Sequence, residues 1–173
     1  MNTLFFGSPL GRFSVLMHSD RAPLTCAYFR DLAASGALDD SSVFRVVARR
    51  NQRQDERCPI RIVQIGPARM NGREQQSIAH EGTNVTRLSH RQWTVSAARF
   101  DLGELYGSFF VCMRDEPELD FGGRRQPDGQ GFAAFGRVVD GFETLRRMYD
   151  LAEDDEVLRT RIPVHTVAAT NTA

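Results

Sequence analysis

The sequence predicts a mainly β fold: an eight-stranded antiparallel barrel closed on itself, with two capping helices, formed as a single domain over residues 1–173. Three observations predict it. About eight short runs rich in β-branched and aromatic residues are separated by polar, Gly- or Pro-containing stretches. Only two segments carry apolar residues at helical spacing. Most of the joining stretches are shorter than the crossover that a parallel pair requires, so the strands are expected to be antiparallel. Closing the sheet is the economical way to hide so many strand edges.

The runs Leu4–Phe6 and Phe13–Met17 flank Gly7-Ser8-Pro9-Leu10-Gly11 and read as an opening hairpin. Asp20-Arg21-Ala22-Pro23 reads as a turn into a helix, since proline suits the first helical position. Leu24, Ala27, Tyr28 and Leu32 then recur on one helical face, and Gly36 suits the C-terminal cap. Val43–Val47 and Ile60–Ile65 read as strands around a polar, Arg/Gln-rich loop from Ala48 to Pro59. Pro67–Gln76 reads as a loop with an Asn71-Gly72 turn. Trp93–Ala98 and Ser108–Met113 read as strands joined by a loop from Arg99 to Gly107. Asp115–Gly131 is a long surface loop, Phe132–Val139 a strand, and Phe142–Leu151 a helix carrying Phe142, Leu145, Met148 and Tyr149. Val157–Val167 is a last strand, in which Pro163 marks an edge or a bulge.

Composition excludes several functions. The formal net charge is zero, so no overall field draws nucleic acid or an anionic membrane. There is no lysine, which removes Schiff-base chemistry and a P-loop. Arg49, Arg50, Arg53 and Arg57 make a basic loop, but Asp55 and Glu56 interrupt it, and a solvated loop is the simpler reading than a nucleic-acid contact. The run Glu153-Asp154-Asp155-Glu156 and the pair Arg124-Arg125 likewise read as solvated. Cys26, Cys58 and Cys112 lack C-x-x-C spacing, and the four histidines are scattered, so neither a disulfide framework nor a metal site is expected. A reducing, cytoplasmic setting fits these thiols, with a periplasmic one as the alternative. No stretch is long and apolar enough to be a membrane-spanning helix.

Five blocks, in order, carry a family resemblance. They are Ala22-Pro23-Leu24-Thr25 before a helix with Phe29; Val43-Phe44-Arg45-Val46-Val47 with Ile62-Val63-Gln64-Ile65; Ile78-Ala79-His80-Glu81; Thr94-Val95-Ser96-Ala97-Ala98; and Tyr106-Gly107-Ser108-Phe109-Phe110-Val111 followed by Leu119-Asp120 and Phe132-Ala133-Ala134-Phe135-Gly136-Arg137-Val138. Together they resemble the cyclophilin-type peptidyl-prolyl cis-trans isomerases. The insertion Phe121–Gly131 is similar to that of a bacterial branch of the family with an F-G-G-R-x-x-P-D-G-Q-G-F loop. The resemblance implies an isomerase of X-Pro peptide bonds that assists protein folding, with X-Pro peptides and protein clients as partners. It implies no cofactor, no metal, no nucleic acid, no membrane and a monomer. A proline-peptide-binding module with weak or no turnover is the alternative.

The chemistry sets what such a site needs. The amide resists rotation because its C–N bond has double-bond character, with a barrier of about 18–20 kcal/mol. No bond breaks, so the protein has only to favour the twisted amide over both planar forms. A donor at the prolyl nitrogen does this, since twisting returns the lone pair to nitrogen. Arg45 has the right chemistry, always charged and multi-donor, and a charge within an apolar strand is costly unless it faces a polar site; by pattern alone, a strand alternating toward solvent with Arg45 simply exposed is the simpler reading. The resemblance assigns it the catalytic role. It also implies Phe110 as the floor of a proline pocket, Ile62 and Leu119 as its wall, Gln64 as holder of a substrate carbonyl, Ala98 and Arg99 as the edge that meets the peptide backbone, and Phe132 at the rim. Where the family carries a rim Trp this chain has Glu118, which predicts weak binding of cyclosporin-type ligands.

Overall fold

A computed structural model describes residues 2–53, 56–68, 72 and 74–167. The chain opens with the expected hairpin: β1 (Thr3–Ser8) and β2 (Gly11–Met17) pair antiparallel from Thr3↔Leu16 to Ser8↔Gly11. Helix α1 (Pro23–Ala34) starts on its proline. Its N-cap, Ala22, has no polar side chain to offer, and Glu81 takes over from a distant loop. The Glu81 carboxylate accepts from the Leu24 and Thr25 backbone N–H groups and from the Thr25 hydroxyl. Those N–H groups have no partner within the helix, and the positive end of the helix favours an anion there.

Seven further strands follow: β3 (Ser41–Val47), β4 (Ile62–Pro67), β5 (Gln75–Ser77), β6 (Thr94–Arg99), β7 (Glu104–Cys112), β8 (Ala133–Asp140) and β9 (Val157–Thr166). All pairings are antiparallel. Eight strands form a ring in the order β4-β3-β9-β1-β2-β8-β6-β7, and β7 returns to β4 to close it. The predicted closed barrel is therefore present. Helices α2 (Thr83–Thr86) and α3 (Phe142–Asp150), with single 3-10 turns at Arg49–Asn51 and Pro117–Leu119, complete the regular elements among the described residues.

Three local expectations change. A ninth strand, β5, lies outside the ring on the edge of β7, in a stretch read as loop; its residues are all exposed, so no apolar alternation announces it. The loop expected over 99–107 shrinks to 100–103, because Glu104–Tyr106 pair with Ser77–Gln75 through their backbones. The short helix α2 adds a third to the expected two. Asn71 of the expected Asn71-Gly72 turn and Asp55 of the basic loop lie outside the described residues. Pro163 pairs with Ser42 on β3, while β1 meets β9 only at His165 and Thr166, so no β1–β9 ladder bond is asked of a residue without an N–H.

Side-chain alternation gives the barrel wall two apolar faces. Phe6, Phe13, Val43, Val46, Val63, Ile65, Val95, Ala97, Phe109, Val111 and Phe135 point inward, where Phe29 of α1 and Leu145 and Met148 of α3 join them. Phe29 stacks on Phe135 at 4.4 Å and meets Phe109 edge-on at 5.8 Å. A second, smaller cluster covers the outside: Val47, Ile60, Ile62, Ala98, Phe110, Cys112 and Leu119. Gly141, at φ +78°, fits where no side chain can, because a Cβ there would lie 2.2 Å from the Arg12 carbonyl oxygen.

Phe29 links the helix to both walls of the interior, so Phe29→Ala is expected to cost about 3–5 kcal/mol of stability. Urea unfolding followed by fluorescence measures it. A loss below about 1 kcal/mol would show that the interior refills without this ring.

Candidate active-site groove

The outer apolar cluster floors a groove of about 200 Å³. The strands fix its lining by register. Gln64 on β4 faces Phe110 on β7, Ser96 on β6 faces Phe110 from the other side, and Ile62 faces Cys112. Residues two apart on one strand share a face, so Ile62 with Gln64, and Phe110 with Cys112, all belong to the outer side.

Arg45 reaches this face through a β-bulge. Val43 pairs with Ile65 and Arg45 with Gln64, so Phe44 is an extra residue in β3. Strict alternation puts Val43 and Arg45 on one side. The bulge resets the phase, leaving Val43 and Val46 inside and Arg45 outside. The Arg45 guanidinium donates from Nε and Nη2 to one carboxylate oxygen, Oε2, of Glu156, at 3.0 and 2.5 Å, and from Nη1 to Gln64 Oε1 at 3.1 Å. Gln64 is 4% exposed and spends its own Nε2 donors on the Tyr106 hydroxyl and on Ser108 Oγ, both at 3.0 Å. Ser108 in turn donates to the Ile65 carbonyl. Burial pushes the Tyr106 hydroxyl above its ordinary pKa, and its ring stacks on Phe100 at 4.2 Å.

Phe110 is held from behind. His90, fully buried, stacks on it with ring centroids 6.1 Å apart. His90 Nδ1 meets Asp120 Oδ1 at 2.7 Å and Nε2 meets Ser96 Oγ at 2.9 Å. A serine–histidine–aspartate set of this geometry resembles a nucleophilic triad, yet Ser96 is completely buried and reaches no substrate. Here the set braces the pocket floor. Phe132 meets Phe110 edge-on at 5.3 Å, and Leu119 packs into the same cluster.

The long loop closes one rim. Arg99 is the main fastener, donating to both carboxylate oxygens of Asp128 at 2.8 Å and to the Gly131 carbonyl, while its guanidinium lies over the Phe132 ring at 5.5 Å. Gly131 has φ +63° and passes against Leu119, whose carbonyl would be 2.4 Å from a Cβ. Arg125 pairs with Glu56 at 3.1 Å and reaches the Cys58 carbonyl. Glu118 accepts from the side chain and the backbone N–H of Arg124. These bonds hold the Glu118 carboxyl down at about 2.

All eight residues named from the sequence — Arg45, Ile62, Gln64, Ala98, Arg99, Phe110, Leu119 and Phe132 — line this one groove. Two stand differently from expectation. Arg99 is buried and its guanidinium is turned to the rim loop, bonded to Asp128 and the Gly131 carbonyl. Gln64 has its amide donors already engaged inside the protein. Ala98 falls in the break between the Ala97–Phe109 and Arg99–Leu105 pairings. Sequence reasoning missed Ile60, Tyr106, Arg125, Gln126 and Glu156. Arg125 and Glu156, read as solvated, are structural partners, because each finds its opposite charge on a distant segment. Tyr106 lay inside the recognised block but had no signal of its own.

The sequence matches the family model described as "Cyclophilin type peptidyl-prolyl cis-trans isomerase/CLD" over residues 3–169. No curated protein matches it. Among solved structures it is similar to a cyclophilin type peptidyl-prolyl cis-trans isomerase of Cryptosporidium parvum, at TM-score 0.70 and 18% identity, covering 96% of this chain and 98% of that one. A second structure of the same protein, in the presence of the dipeptide Ala-Pro, is similar at TM-score 0.70 and 18% identity, covering 96% and 99%.

The Glu118–Arg124 clasp is complete above the ordinary carboxyl pKa of 4.5 and is lost as pH falls through about 2. Carbon NMR titration of Glu118 is expected to give that depressed value, and Arg124→Ala to move it back toward 4.5. Ordinary titration in the unsubstituted protein would show that the clasp does not form.

Proposed function

This chain belongs to the cyclophilin-type peptidyl-prolyl cis-trans isomerase family, and we propose that it isomerises X-Pro peptide bonds in the groove that Arg45 overlooks. The single observation that carries this reading is the convergence of the Arg45 guanidinium and an apolar floor on one small cavity. Arg45 stands on the rim, with Phe110, Ile62, Leu119 and Phe132 beneath it. A proline ring is apolar and compact, and a groove of about 200 Å³ suits it.

The reaction follows from the elementary chemistry of the amide. Planar X-Pro favours trans by only about 0.5–1 kcal/mol, but the two forms exchange in tens to hundreds of seconds. The proline ring rests on Phe110, and Leu119 and Ile62 restrain it. The acyl side turns about the C–N bond. At the twisted geometry the nitrogen lone pair no longer conjugates with the carbonyl, and an Arg45 N–H donates to it. That bond is far weaker in either planar isomer, so it favours the transition state selectively. Ala98, in its ladder break, is the proposed contact for the peptide backbone upstream of proline. Gln64 joins by steadying Arg45, and substrate reaches its amide only by displacing Tyr106 or Ser108.

A second reading is a proline-peptide binder with weak turnover. The observation that favours it is that Arg45 and Gln64 already spend donors on Glu156, Tyr106 and Ser108. Isomerisation of X-Pro bonds in protein clients, as a folding aid, completes the proposal. So does a monomeric single domain over residues 1–173, since closing the ring removes the main strand edges through which copies pair. A cytoplasmic setting is supported by three free, buried cysteines. Among the described residues, no helix is long and apolar enough to cross a membrane.

NMR exchange spectroscopy on an X-Pro peptide tests the assignment. Wild type is expected to catalyse exchange, and Arg45→Ala to lower kcat/KM by about 10²–10³-fold, the usual loss on removing one transition-state donor. Peptide binding without enhanced exchange in the wild type would favour the binder, and full activity in Arg45→Ala would remove Arg45 from the mechanism.

A further inference from the structure

We infer that Glu156 is the positioning residue of Arg45, an inference that rests on the proposed role of Arg45 in the groove. Glu156 is remote in sequence, immediately before β9, and among the described residues its carboxylate is one of two groups that grip the catalytic guanidinium. Oε2 accepts from Nε and Nη2 along one edge, while Gln64 Oε1 accepts from Nη1. A guanidinium carries five N–H donors in a rigid planar fork. Among the described residues three are engaged, so the plane is fixed, and one N–H on each of Nη1 and Nη2 has no partner there.

The backbone explains how Glu156 arrives there. Val43 pairs with Ile162 on β9, yet Arg45 pairs with Val157, so β9 bows out between the two pairings. Its start is thereby drawn up to the bulge in β3. The Glu156 carbonyl accepts from the Val46 N–H at 2.8 Å, anchoring the residue one position beyond Arg45. The two side chains are 28% and 27% exposed. An ion pair this open to water adds little to folding. Its consequence is geometric: it prevents a long, flexible side chain from turning to solvent, and it aims the free donors at the groove. Arg45 has a carboxylate on one edge and a buried amide on the other, and its remaining N–H groups are those available to a prolyl nitrogen.

The test compares wild type, Glu156→Ala, Glu156→Gln and Arg45→Ala by exchange spectroscopy on an X-Pro peptide, with thermal melts to establish folding and the ¹H–¹⁵Nε resonance of Arg45 as a direct probe. In wild type the Nε–H is expected to exchange slowly with solvent. In Glu156→Ala that protection is lost and kcat falls about tenfold while KM changes less than about twofold, the pattern of a misaimed group. Glu156→Gln keeps an accepting oxygen and is expected to recover kcat to within about threefold of wild type. The inference is overturned if Glu156→Ala retains wild-type kcat, or if Glu156→Gln falls as far as Glu156→Ala, which would make charge and not position the cause. Should the Ala variant not fold, wild-type Arg45 Nε–H exchanging as fast as that of an exposed arginine overturns it by itself. Loss of activity in Arg45→Ala with none in Glu156→Ala sinks only the positioning role; full activity in Arg45→Ala takes down the groove reading with it.

Discussion

Between Val43 and Arg45 the pairing of β3 with β4 slips by one residue, and Phe44 is left over. Without that slip Arg45 shares a face with Val43, which is completely buried in the barrel interior. A guanidinium there has no compensating partner among the phenylalanines, and the cost of an unpaired buried charge far exceeds that of a bulge. With the slip, the strand returns Val46 to the core and turns Arg45 to the outer wall. The matching bow in β9 supplies Glu156 at the same place. The placement of Arg45 in the groove therefore depends on a backbone irregularity shared by three adjacent strands.

The barrel wall then serves both faces. Phe109 and Phe110 are neighbours in β7 and point opposite ways, one into the interior and one to the groove floor. Such a floor is backed by the close-packed interior and moves little. His90, Ser96 and Asp120 extend the support on the outside through short hydrogen bonds. Gln64, Tyr106 and Ser108 do the same for the polar side. Buried polar groups are tolerable here because their partners are protein atoms whose positions the β-ladder sets.

Ion pairs hold the third side. In a chain whose cationic side chains, apart from histidine, are all arginine, the planar fork spans separate segments readily, bonding a carboxylate and a carbonyl at once. Arg99 does so with Asp128 and Gly131, and Arg125 with Glu56 and Cys58. The long loop carries no strand of its own, and these arginines, with the Thr83 hydroxyl bound to the Phe121 N–H, tie it against the barrel. Arg99 sits where a peptide-binding edge was expected. Its guanidinium ties the long loop to β6 through Asp128 and the Gly131 carbonyl.

Much was legible in the sequence by itself. The alternation of apolar residues announced the strands, the 3.6-residue spacing announced α1 and α3, and the loop lengths required antiparallel pairing. Those signals are local, because the period of side-chain exposure is a property of each element. Five ordered blocks then pointed to the family and to eight residues, and these eight face one groove. What the sequence by itself left open was every contact made across distance. Strand β5 is polar and exposed, and exists only because β7 offers an edge. Glu156 looked like one acid in an acidic run, and Arg125 like one base beside another. Their partners lie 111 and 69 residues away, and a charge's role depends on what stands within about 4 Å of it, not on its chain neighbours. The barrel was written in patterns that repeat every two or four residues; the charge arrangement around the groove was decided only when closure brought β3, β4 and β9 together.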